Sequence, residues 1–498
     1  MSCAGEAVPR SESSAIVRRL GLSWPILLGA AAFVLALAGG AVRFDPDAYW
    51  QIATGRWILA HGYVPTHDLY SFTLPGAPWI VQEWGAELLM NVVYGLGGWQ
   101  GLGLLCAALF GLTIGYLARF LLARMEPLHA LLLTVLAACM MFSYIIVRPY
   151  EIVWPLTALW VGGLIESRER RGAPPWWLLG VMLIWANLHG SFILGLGVAT
   201  VIAVEAIVDA KGNRMDAGRK WGAFIAAAFG CAMLNPQGYR LLLFPFHLLG
   251  LHVLSELTEW QQPSFQGLPV FGLWLLSLLA LAFSGRVRLP LLRSMTLLAL
   301  IYMALQHVRN VSLLGFIAPL LIASPLADQW KKMPARRRNA EALDRGFRAL
   351  ARPGKIAALC ATLVIAGALG FAVVAVRKSD PPGKFTPRAA LDVLLADRPD
   401  ARIFNDYNFG GYLIFRGVPV FVDGRADMYG DRFLEPYFAA LRLSARGNIG
   451  ALLKKYRINA ILMSPQWPVV RLLDRMPHWK RVYADKVAVV YLRSGAPS

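Results

Sequence analysis

Two carboxylates lie in the stretch Phe44-Asp45-Pro46-Asp47-Ala48-Tyr49-Trp50, which directly follows the first hydrophobic segment of the chain. An aspartate before a proline is typical of a helix start, and Gly62 is a typical helix stop. A helix-capping role accounts for Asp45 and is compatible with an aspartate at position 47. It does not explain why other unusual polar residues are predicted on the same side of the chain, so we interpret this turn as the candidate reaction centre.

The composition defines the class of protein. The 498 residues are 57% hydrophobic with a mean hydropathy of +0.50, and several apolar runs approach the roughly 20 residues that cross a bilayer. This pattern indicates a polytopic α-helical membrane protein and excludes a soluble globular one. The net charge is +19, but Lys and Arg lie in short loops, where they determine topology and contact anionic lipids, so we expect no nucleic-acid partner. The five cysteines have neither a disulfide nor a metal-binding spacing.

The first apolar run, residues 23–42, is long for a signal peptide, so we predict an uncleaved first span with the N-terminus inside. Residues 1–22 would then be a cytoplasmic tail and residues 23–376 a transmembrane domain of about 11 helices. The ten further spans are predicted at 99–120, 127–147, 150–166, 175–188, 191–208, 220–234, 268–284, 290–305, 311–326 and 355–376.

The distribution of basic residues supports this count. The loops predicted inside hold 24 Lys and Arg, whereas the external loops before residue 377 hold five. An excess of this size on one side is the positive-inside signal of cytoplasmic loops. A full span at 84–97 would move Arg168, Arg170 and Arg171 outside, so the charge pattern disfavours it.

Residues 43–98 form a long external loop in which we predict two surface helices. In the first, Tyr49 and Trp57 belong to an apolar series at helical spacing, and Gln51 and Arg56 are expected to face water. The second runs over 82–96, with three polar residues on one side: Glu83, Glu87 and Asn91. The sequence therefore predicts two amphipathic helices at the external membrane surface.

Residues 377–498 have the composition of a small α/β domain. With the N-terminus inside and an odd number of spans, this domain is predicted on the external side of the membrane. Short apolar runs predict strands at 403–404, 420–422, 460–463 and 487–492. Helical patterns are predicted at 387–396, 446–456 and 467–475. Its acidic residues are mixed with glycines, a combination that builds turns as readily as sites. We expect this domain to recognise an acceptor or a partner and not to carry the chemistry.

Polar residues also cluster at the external ends of the predicted spans. Charged groups near hydrocarbon are costly and usually face a cavity or a partner. The candidates that share this position, together with Glu83, are Arg148, Glu151, Asn187, His189, Asn235, Glu259, Trp260, His307, Arg309 and Asn310. Taken singly, each residue could have a purely structural role: an arginine could contact lipid head groups, a histidine could lie hydrogen-bonded in the core, and an arginine could pair with a glutamate. Together they predict an outward cavity for a ligand that carries phosphate and hydroxyl groups.

The stretches DPDAYWQIATGRWILAHGYVP (45–65) and PWIVQEWGAELLMNVVYGLGG (78–98) resemble the first external loop of GT-C glycosyltransferases. These include lipid A aminoarabinose transferases and protein O-mannosyltransferases. In those families an acidic pair after the first span opens a surface helix, and a second surface helix precedes the next span. The resemblance is best over about the first 125 residues. The C-terminal part is similar to domains of bacterial membrane proteins with the same loop.

The resemblance implies a GT-C-like fold and a glycosyltransferase of the bacterial inner membrane. Such an enzyme takes a sugar from a polyprenyl-phosphate donor in the lipid bilayer and gives it, with inversion, to an extracytoplasmic glycan, lipid or protein acceptor. Asp45 or Asp47 would be the general base. Arg148, His189 and Arg309 would bind the donor phosphate and stabilise it as it leaves.

Some GT-C members use a divalent cation, which the resemblance would place among loop residues. Asp45, Asp47, His67 and Asp68 are the local candidates, and oxygen ligands favour Mg²⁺ or Mn²⁺. Asp68 followed by Ser71 equally fits the start of a turn.

Two other functions are open at this point. A lipid-linked glycan ligase or polymerase would depend more on Arg148 than on the aspartates. A transporter or an assembly scaffold for surface polysaccharide would use the outward charges as a path or a docking face. Transporters often show internal repeats and broken helices in matching halves, and we find none in the sequence.

The topology can be tested with cysteines placed singly at positions 170 and 430 of a cysteine-free protein. Because position 170 is predicted inside and position 430 outside, an impermeant thiol reagent added to the external face should label only position 430. Labelling at position 170 in sealed membranes would contradict the eleven-span arrangement.

Overall fold

The structure is a computed structural model that describes residues 21–210, 212–267, 269–285, 287–330, 348–352, 354–376, 381 and 383–494. Most of the predicted tail 1–22, part of the predicted internal loop 327–355 and part of the stretch that joins the two predicted domains lie outside these residues. The helices of the first 376 residues are α1 Trp24–Ala38, α2 Asp47–His61, α3 Trp84–Leu122, α4 Pro127–Phe142, α5 Pro149–Ile152, α6 Trp154–Glu169, α7 Trp177–Leu188, α8 Phe192–Asp209, α9 Arg214–Met233, α10 Arg240–Leu249, α11 Val270–Phe283, α12 Leu291–Gln306, α13 Asn310–Trp330 and α14 Ile356–Val376.

Every interval predicted as a span overlaps one or more of these helices. Among the described residues, four helices are long and apolar enough to cross a membrane: α3, α8, α13 and α14. Others are apolar but shorter, such as α1 and α4. The count of eleven spans and the assignment of sides therefore stay predictions.

The first surface helix begins one turn after β1, a short strand at Arg43–Phe44. Asp45 supports the helix start, because its Oδ1 accepts the backbone N–H of Asp47 at 2.9 Å. Gly62 ends the helix in the left-handed region with φ 75°, which glycine adopts without steric cost. The expectation for Gln51 is wrong: its side chain is 3% exposed, because other parts of the chain cover this side of α2.

The predicted second surface helix and the following span are two helical segments joined by a kink, together named α3. Its regular backbone is interrupted at Gly98, where φ is 59° and ψ is −151°. This break separates the amphipathic part of α3 from the apolar part, close to the boundary that the sequence predicts.

A two-residue parallel pairing joins distant parts of the chain. β1 pairs with β2, Ile146–Val147, with Phe44 opposite Val147. The next residue on each strand is therefore Asp45 on one side and Arg148 on the other. This register brings the acidic turn and the arginine at the end of a predicted span to the same place.

The C-terminal part contains a four-stranded sheet and several helices. Its elements are α15 Arg388–Asp397, β3 Ile403–Asn405, α16 Gly410–Phe415, α17 Ala426–Leu441, α18 Ile449–Lys455, β4 Ala460–Met463, α19 Val469–Leu473, β5 Trp479–Ala484 and β6 Val489–Arg493. The strand order is β3-β4-β6-β5. β3 and β4 are parallel, and the remaining neighbours are antiparallel. The predicted strand at 420–422 is wrong: this segment forms a single bridge with Ser71. Sequence patterns missed β5, α16 and α17.

The C-terminal part packs directly on the first external loop. The backbone N–H of Phe72 donates to the carbonyl of Val420 at 3.1 Å, and the N–H of Val420 donates to the carbonyl of Tyr70 at 3.0 Å. Tyr49 on α2 makes edge-on ring contacts with Tyr412 and Phe415 of α16 at centroid distances of 5.3 and 5.4 Å. The two segments therefore form a single surface above the helices.

A buried cluster of charged side chains stabilises the contact between the first external loop and the C-terminal part. Nη1 of Arg425 lies 2.7 Å from Oδ1 of Asp68, and its Nη2 lies 2.6 Å from Oδ2 of Asp423, with all three side chains fully buried. The guanidinium also lies over the rings of Tyr70 and Trp79, at 5.0 and 4.6 Å. Asp68 is thus a structural partner of the C-terminal part.

Replacing Asp68 by Ala should destabilise the docking of the C-terminal part by about 3–5 kcal/mol, since it leaves a buried guanidinium short of one partner. Asp392→Ala is a matched control, because it breaks an exposed pair with Arg416 and should cost under about 1 kcal/mol. Thermal unfolding of the purified protein and amide exchange in β3 and α17 measure both. Equal stability of the two variants would show that the buried ion cluster does not stabilise the docking of the C-terminal part.

Candidate active site

Residues 43–98, predicted as the first external loop, the adjoining ends of several helices and the C-terminal part enclose a cavity of about 730 Å³. Most of the polar residues predicted from the sequence line it. The predicted residues found there are Asp47, Glu83, Arg148, His189, Glu259, Trp260, His307, Arg309 and Asn310. These polar side chains thus share a single cavity.

Arg148 lies at the convergence of three carboxylates. Its Nη2 donates to Oδ1 of Asp45 at 2.8 Å and to Oδ2 of Asp47 at 2.6 Å, and its Nη1 donates to Glu259. Burial alone would lower the pKa of Arg148, but the three carboxylates hold it above its usual value. This guanidinium is therefore a permanent cation with both Nη groups directed at protein carboxylates.

Asp47 is the carboxylate of the acidic turn that faces the cavity. Burial raises the pKa of Asp47 well above its ordinary value, against the opposing effect of Arg148. Gly424 lies against this side chain, and a Cβ at that position would overlap the carboxylate of Asp47. A glycine of the C-terminal part thus leaves just enough room for the Asp47 side chain.

Arg309 is the second cation of the cavity and is less engaged than Arg148. Its Nη1 lies 3.2 Å from Oε1 of Glu259, and its guanidinium lies 4.8 Å from the ring centroid of Trp260. Burial alone would raise the pKa of Glu259, but Arg148 and Arg309 lower it, so this carboxylate is ionised and bridges the two arginines. Nearby, Nδ1 of His307 hydrogen-bonds to the carbonyl oxygen of Trp260 at 2.7 Å.

His189 is not the cation that the sequence suggests. Burial, together with the charges of Arg309 and Arg148, lowers the pKa of His189 to about 3. The backbone N–H of Ser191 donates to its Nδ1 at 3.0 Å, and its Nε2 lies 3.3 Å from Oε1 of Glu83. Burial raises the pKa of Glu83 to about 7, so a neutral His189 lies beside a weakly acidic carboxyl group.

Four predicted residues do not line the cavity. Asp45 contacts it only through Arg148, and Glu151 is buried and accepts the backbone N–H of Ile146. Asn187 accepts a hydrogen bond from Trp84 at 3.0 Å, and Asn235 bonds to the backbone around its own turn. Glu151, Asn187 and Asn235 therefore form hydrogen bonds with backbone groups at the helix ends, which is a structural role.

Several residues of the cavity wall are not among those predicted from the sequence: Trp50, Gln51, Trp79, Glu87, Gly424 and Asp427. Gln51 and Glu87 looked like solvent-facing residues of amphipathic helices. Gly424 and Asp427 belong to the C-terminal part, which the sequence predicts to stand apart from the chemistry. The Asp-Gly combination at 423–424 was the signal available, and it fits a turn equally well.

Another part of the cavity is apolar. Four helices contribute to it, through Ile193 and Leu194 of α8, Leu248 and Leu249 of α10, Met303 of α12 and Leu313 of α13. Polar groups at one wall and aliphatic side chains from several helices at another suit an amphipathic ligand.

The candidate metal ligands do not come together. Asp45 and Asp47 converge on Arg148, Asp68 binds Arg425, and Nδ1 of His67 hydrogen-bonds to Thr66. Within the described ranges, a group of three such ligands within 4.8 Å is formed by His252, Asp431 and Glu435. Asp431 there already accepts the backbone N–H groups of His252 and Val253. These residues do not fit a metal in the cavity, and dependence on Mg²⁺ or Mn²⁺ stays a prediction from the sequence.

No protein-family model and no curated protein matches the chain. Among solved structures, the chain is similar to ArnT from Cupriavidus metallidurans in the apo state, with 15% identity, a TM-score of 0.51 and coverage of 97% of this chain and 98% of that one. A structure of the same ArnT bound to undecaprenyl phosphate matches with 14% identity, a TM-score of 0.48 and coverage of 96% and 98%.

A third similar structure is the arabinofuranosyltransferase AftD from Mycobacteria, with 14% identity and a TM-score of 0.50. The match covers 96% of this chain and 41% of AftD, so the chain spans less than half the length of that protein. Almost the whole chain thus superposes on membrane glycosyltransferases, and the resemblance first noticed in the external loop is confirmed at the level of the fold. The protein has the GT-C fold and is a polytopic helical membrane protein.

Proposed function

We propose that the protein is a membrane glycosyltransferase that moves a sugar from a polyprenyl-phosphate donor to an extracytoplasmic glycan, lipid or protein acceptor, with inversion at the anomeric carbon. The enzyme would lie in the inner membrane of a bacterium, with its C-terminal part on the external side. The fold that it shares with ArnT and AftD supports this class of reaction.

One observation carries the proposal: the same cavity joins an arginine-carboxylate centre to an apolar groove between helices. A polyprenyl-phosphate sugar needs both surfaces, because its tail stays in an apolar environment while its phosphate and sugar are polar. Arg309 and Arg148 supply the positive charge, and α8, α10 and α12 supply the aliphatic wall.

Asp47 is the base in this proposal. Its carboxylate takes the proton of the acceptor hydroxyl, the hydroxyl oxygen bonds to the anomeric carbon, and the bond from that carbon to the phosphate oxygen breaks. Burial raises the pKa of Asp47, and a carboxylate with a raised pKa is the stronger base. Asp45 has a positioning role, since it binds the backbone N–H of Asp47 and also Arg148.

The arginines stabilise the departing polyprenyl phosphate. Charge develops on the phosphate as the bond breaks, and fixed cations in a water-poor cavity lower the energy of that state. Arg309 has the freer guanidinium, so we assign it the direct phosphate contact. Both Nη groups of Arg148 are engaged by carboxylates, and a phosphate that approaches Nη1 replaces Glu259 as its partner.

Asp47→Asn should fold normally but lose about 100-fold or more in transfer rate, because an amide cannot accept the acceptor's proton. Asp45→Asn is the comparison variant and should lose less, since Asn caps a helix about as well as Asp. Single-turnover transfer from a radiolabelled donor in vesicles measures both variants.

The same base makes the reaction sensitive to acid. Asp47 must be ionised to act as the base, and burial raises its pKa. As the pH is lowered, the transfer rate should therefore begin to fall at a higher pH than the one at which an ordinary aspartate is protonated. Full turnover of Asp47→Asn, or an acid limb at the ordinary pKa of a free aspartate, would contradict the assignment of the base.

Arg309→Gln should weaken binding of undecaprenyl phosphate by about 10- to 100-fold, as expected for the loss of a hydrogen bond to a charged group. Arg442→Gln is the control, because Arg442 pairs with Glu256 in an exposed position away from the cavity wall. Binding is measured by titration of the protein in nanodiscs. Equal affinity of both variants would remove Arg309 from the phosphate site.

A further inference from the structure

One group of cavity residues has no role in the reaction proposed above. It comprises Trp50, Gln51, Trp79, Glu83, Glu87 and Asp427, and we call it the acidic pocket. Gln51 follows Asp47 by one helical turn, and its Nε2 donates to Oε2 of Glu83 at 3.2 Å. The rings of Trp50 and Trp79 lie 6.2 Å apart at an interplanar angle of 65°. The acidic pocket therefore begins next to the carboxylate assigned as the base.

Two polar atoms of the acidic pocket are buried without a hydrogen-bond partner in the part of the chain that the structure describes: Oε1 of Gln51 and Oε2 of Glu87. The residues themselves are 3% and 1% exposed. Buried polar groups are nearly always paired in native proteins. Two unpaired oxygens at a cavity wall therefore indicate the position of a ligand with hydroxyl groups.

The acidic pocket holds three carboxyl groups, those of Glu83, Glu87 and Asp427. The arginines that act on them are already paired, Arg425 with Asp68 and Asp423, and Arg148 and Arg309 with Glu259. Burial raises the pKa of Glu83 to about 7, against the opposing effect of Arg309 and Arg148, that of Asp427 to about 6, and that of Glu87 well above its ordinary value. The negative charge of Asp427 adds to the increase at Glu83 and at Glu87. The carboxyl groups thus already repel one another, and a further anion placed among them is disfavoured.

We infer that the acidic pocket binds the donor's sugar ring and selects a neutral ring against one that carries a carboxylate. This inference rests on the proposed function, since it names the class of sugar transferred. The oxygens of Glu87 and Gln51 accept hydrogen bonds from sugar hydroxyls. The faces of the two tryptophans pack against the C–H groups of the ring.

The test compares two lipid-linked donors that differ by one carboxylate. Undecaprenyl-phosphoglucose and undecaprenyl-phosphoglucuronate are titrated, without acceptor, into the full-length protein in nanodiscs, with undecaprenyl phosphate as the sugar-free reference. Wild type should bind the glucose donor roughly tenfold or more tightly than the glucuronate donor, because like charges in a low-dielectric pocket repel. The isosteric variants Glu83→Gln and Asp427→Asn should reduce this ratio several-fold, because these carboxyl groups are the ones ionised near neutral pH, and Glu256→Gln, an exposed control outside the pocket, should leave it unchanged.

A ratio near one in wild type, or the same ratio in both pocket variants, overturns the inference. Each ratio compares two ligands on one preparation, so a partial loss of folded protein does not alter it. Failure of the proposed function has a different signature, which is the absence of binding by all three lipids.

Saturation-transfer NMR with methyl glucoside and methyl glucuronide then tests the acidic pocket without a lipid. A preference for the glucoside that falls in Asp427→Asn supports a neutral-sugar site. If these soluble glycosides are discriminated while lipid-linked donors bind without discrimination, the acidic pocket serves the acceptor and the assignment to the donor is wrong.

Discussion

The guanidinium of Arg148 holds three parts of the chain together at one point. It binds Asp45 and Asp47 of the first external loop and Glu259 of the segment between α10 and α11. Removing so many charges from water is unfavourable unless each finds partners in good geometry. The short pairing of β1 with β2 provides that geometry, since it places Asp45 and Arg148 directly after paired residues. The cavity, its charge and the position of the candidate base all follow from this contact.

The C-terminal part closes the site from the other side. The buried cluster of Asp68, Arg425 and Asp423 ties it to the first external loop, and the adjacent Gly424 lies against Asp47. A residue three positions later, Asp427, enters the cavity wall. Residues 423–427 thus contribute both to the ion cluster and to the cavity wall. A change that weakens the ion cluster is therefore expected to alter the packing around Asp47 as well.

Local patterns predict much of this structure. Helical periodicity and capping signals identify α2 and the start of α3, and the cost of charge near hydrocarbon selects Arg148, Glu259 and Arg309 as cavity residues. Contacts between distant segments are not encoded in such patterns. The strand pairing that sets Asp45 beside Arg148 involves only two residues on each side, too few for a periodic signal. Gln51 looks solvent-facing because the segment that covers it comes from elsewhere in the chain, and His189 looks cationic because its burial cannot be seen in sequence.

The central claim is that this cavity holds the phosphate of a polyprenyl-phosphate donor, with the tail along the apolar helices. The most direct measurement is a cryo-EM structure of the protein in nanodiscs with undecaprenyl phosphate. We predict density for the phosphate within hydrogen-bond distance of Arg309, and for the polyprenyl chain between α8, α10 and α12. Phosphate density outside the cavity, or a lipid chain that avoids this groove while the protein is saturated with ligand, would contradict the account.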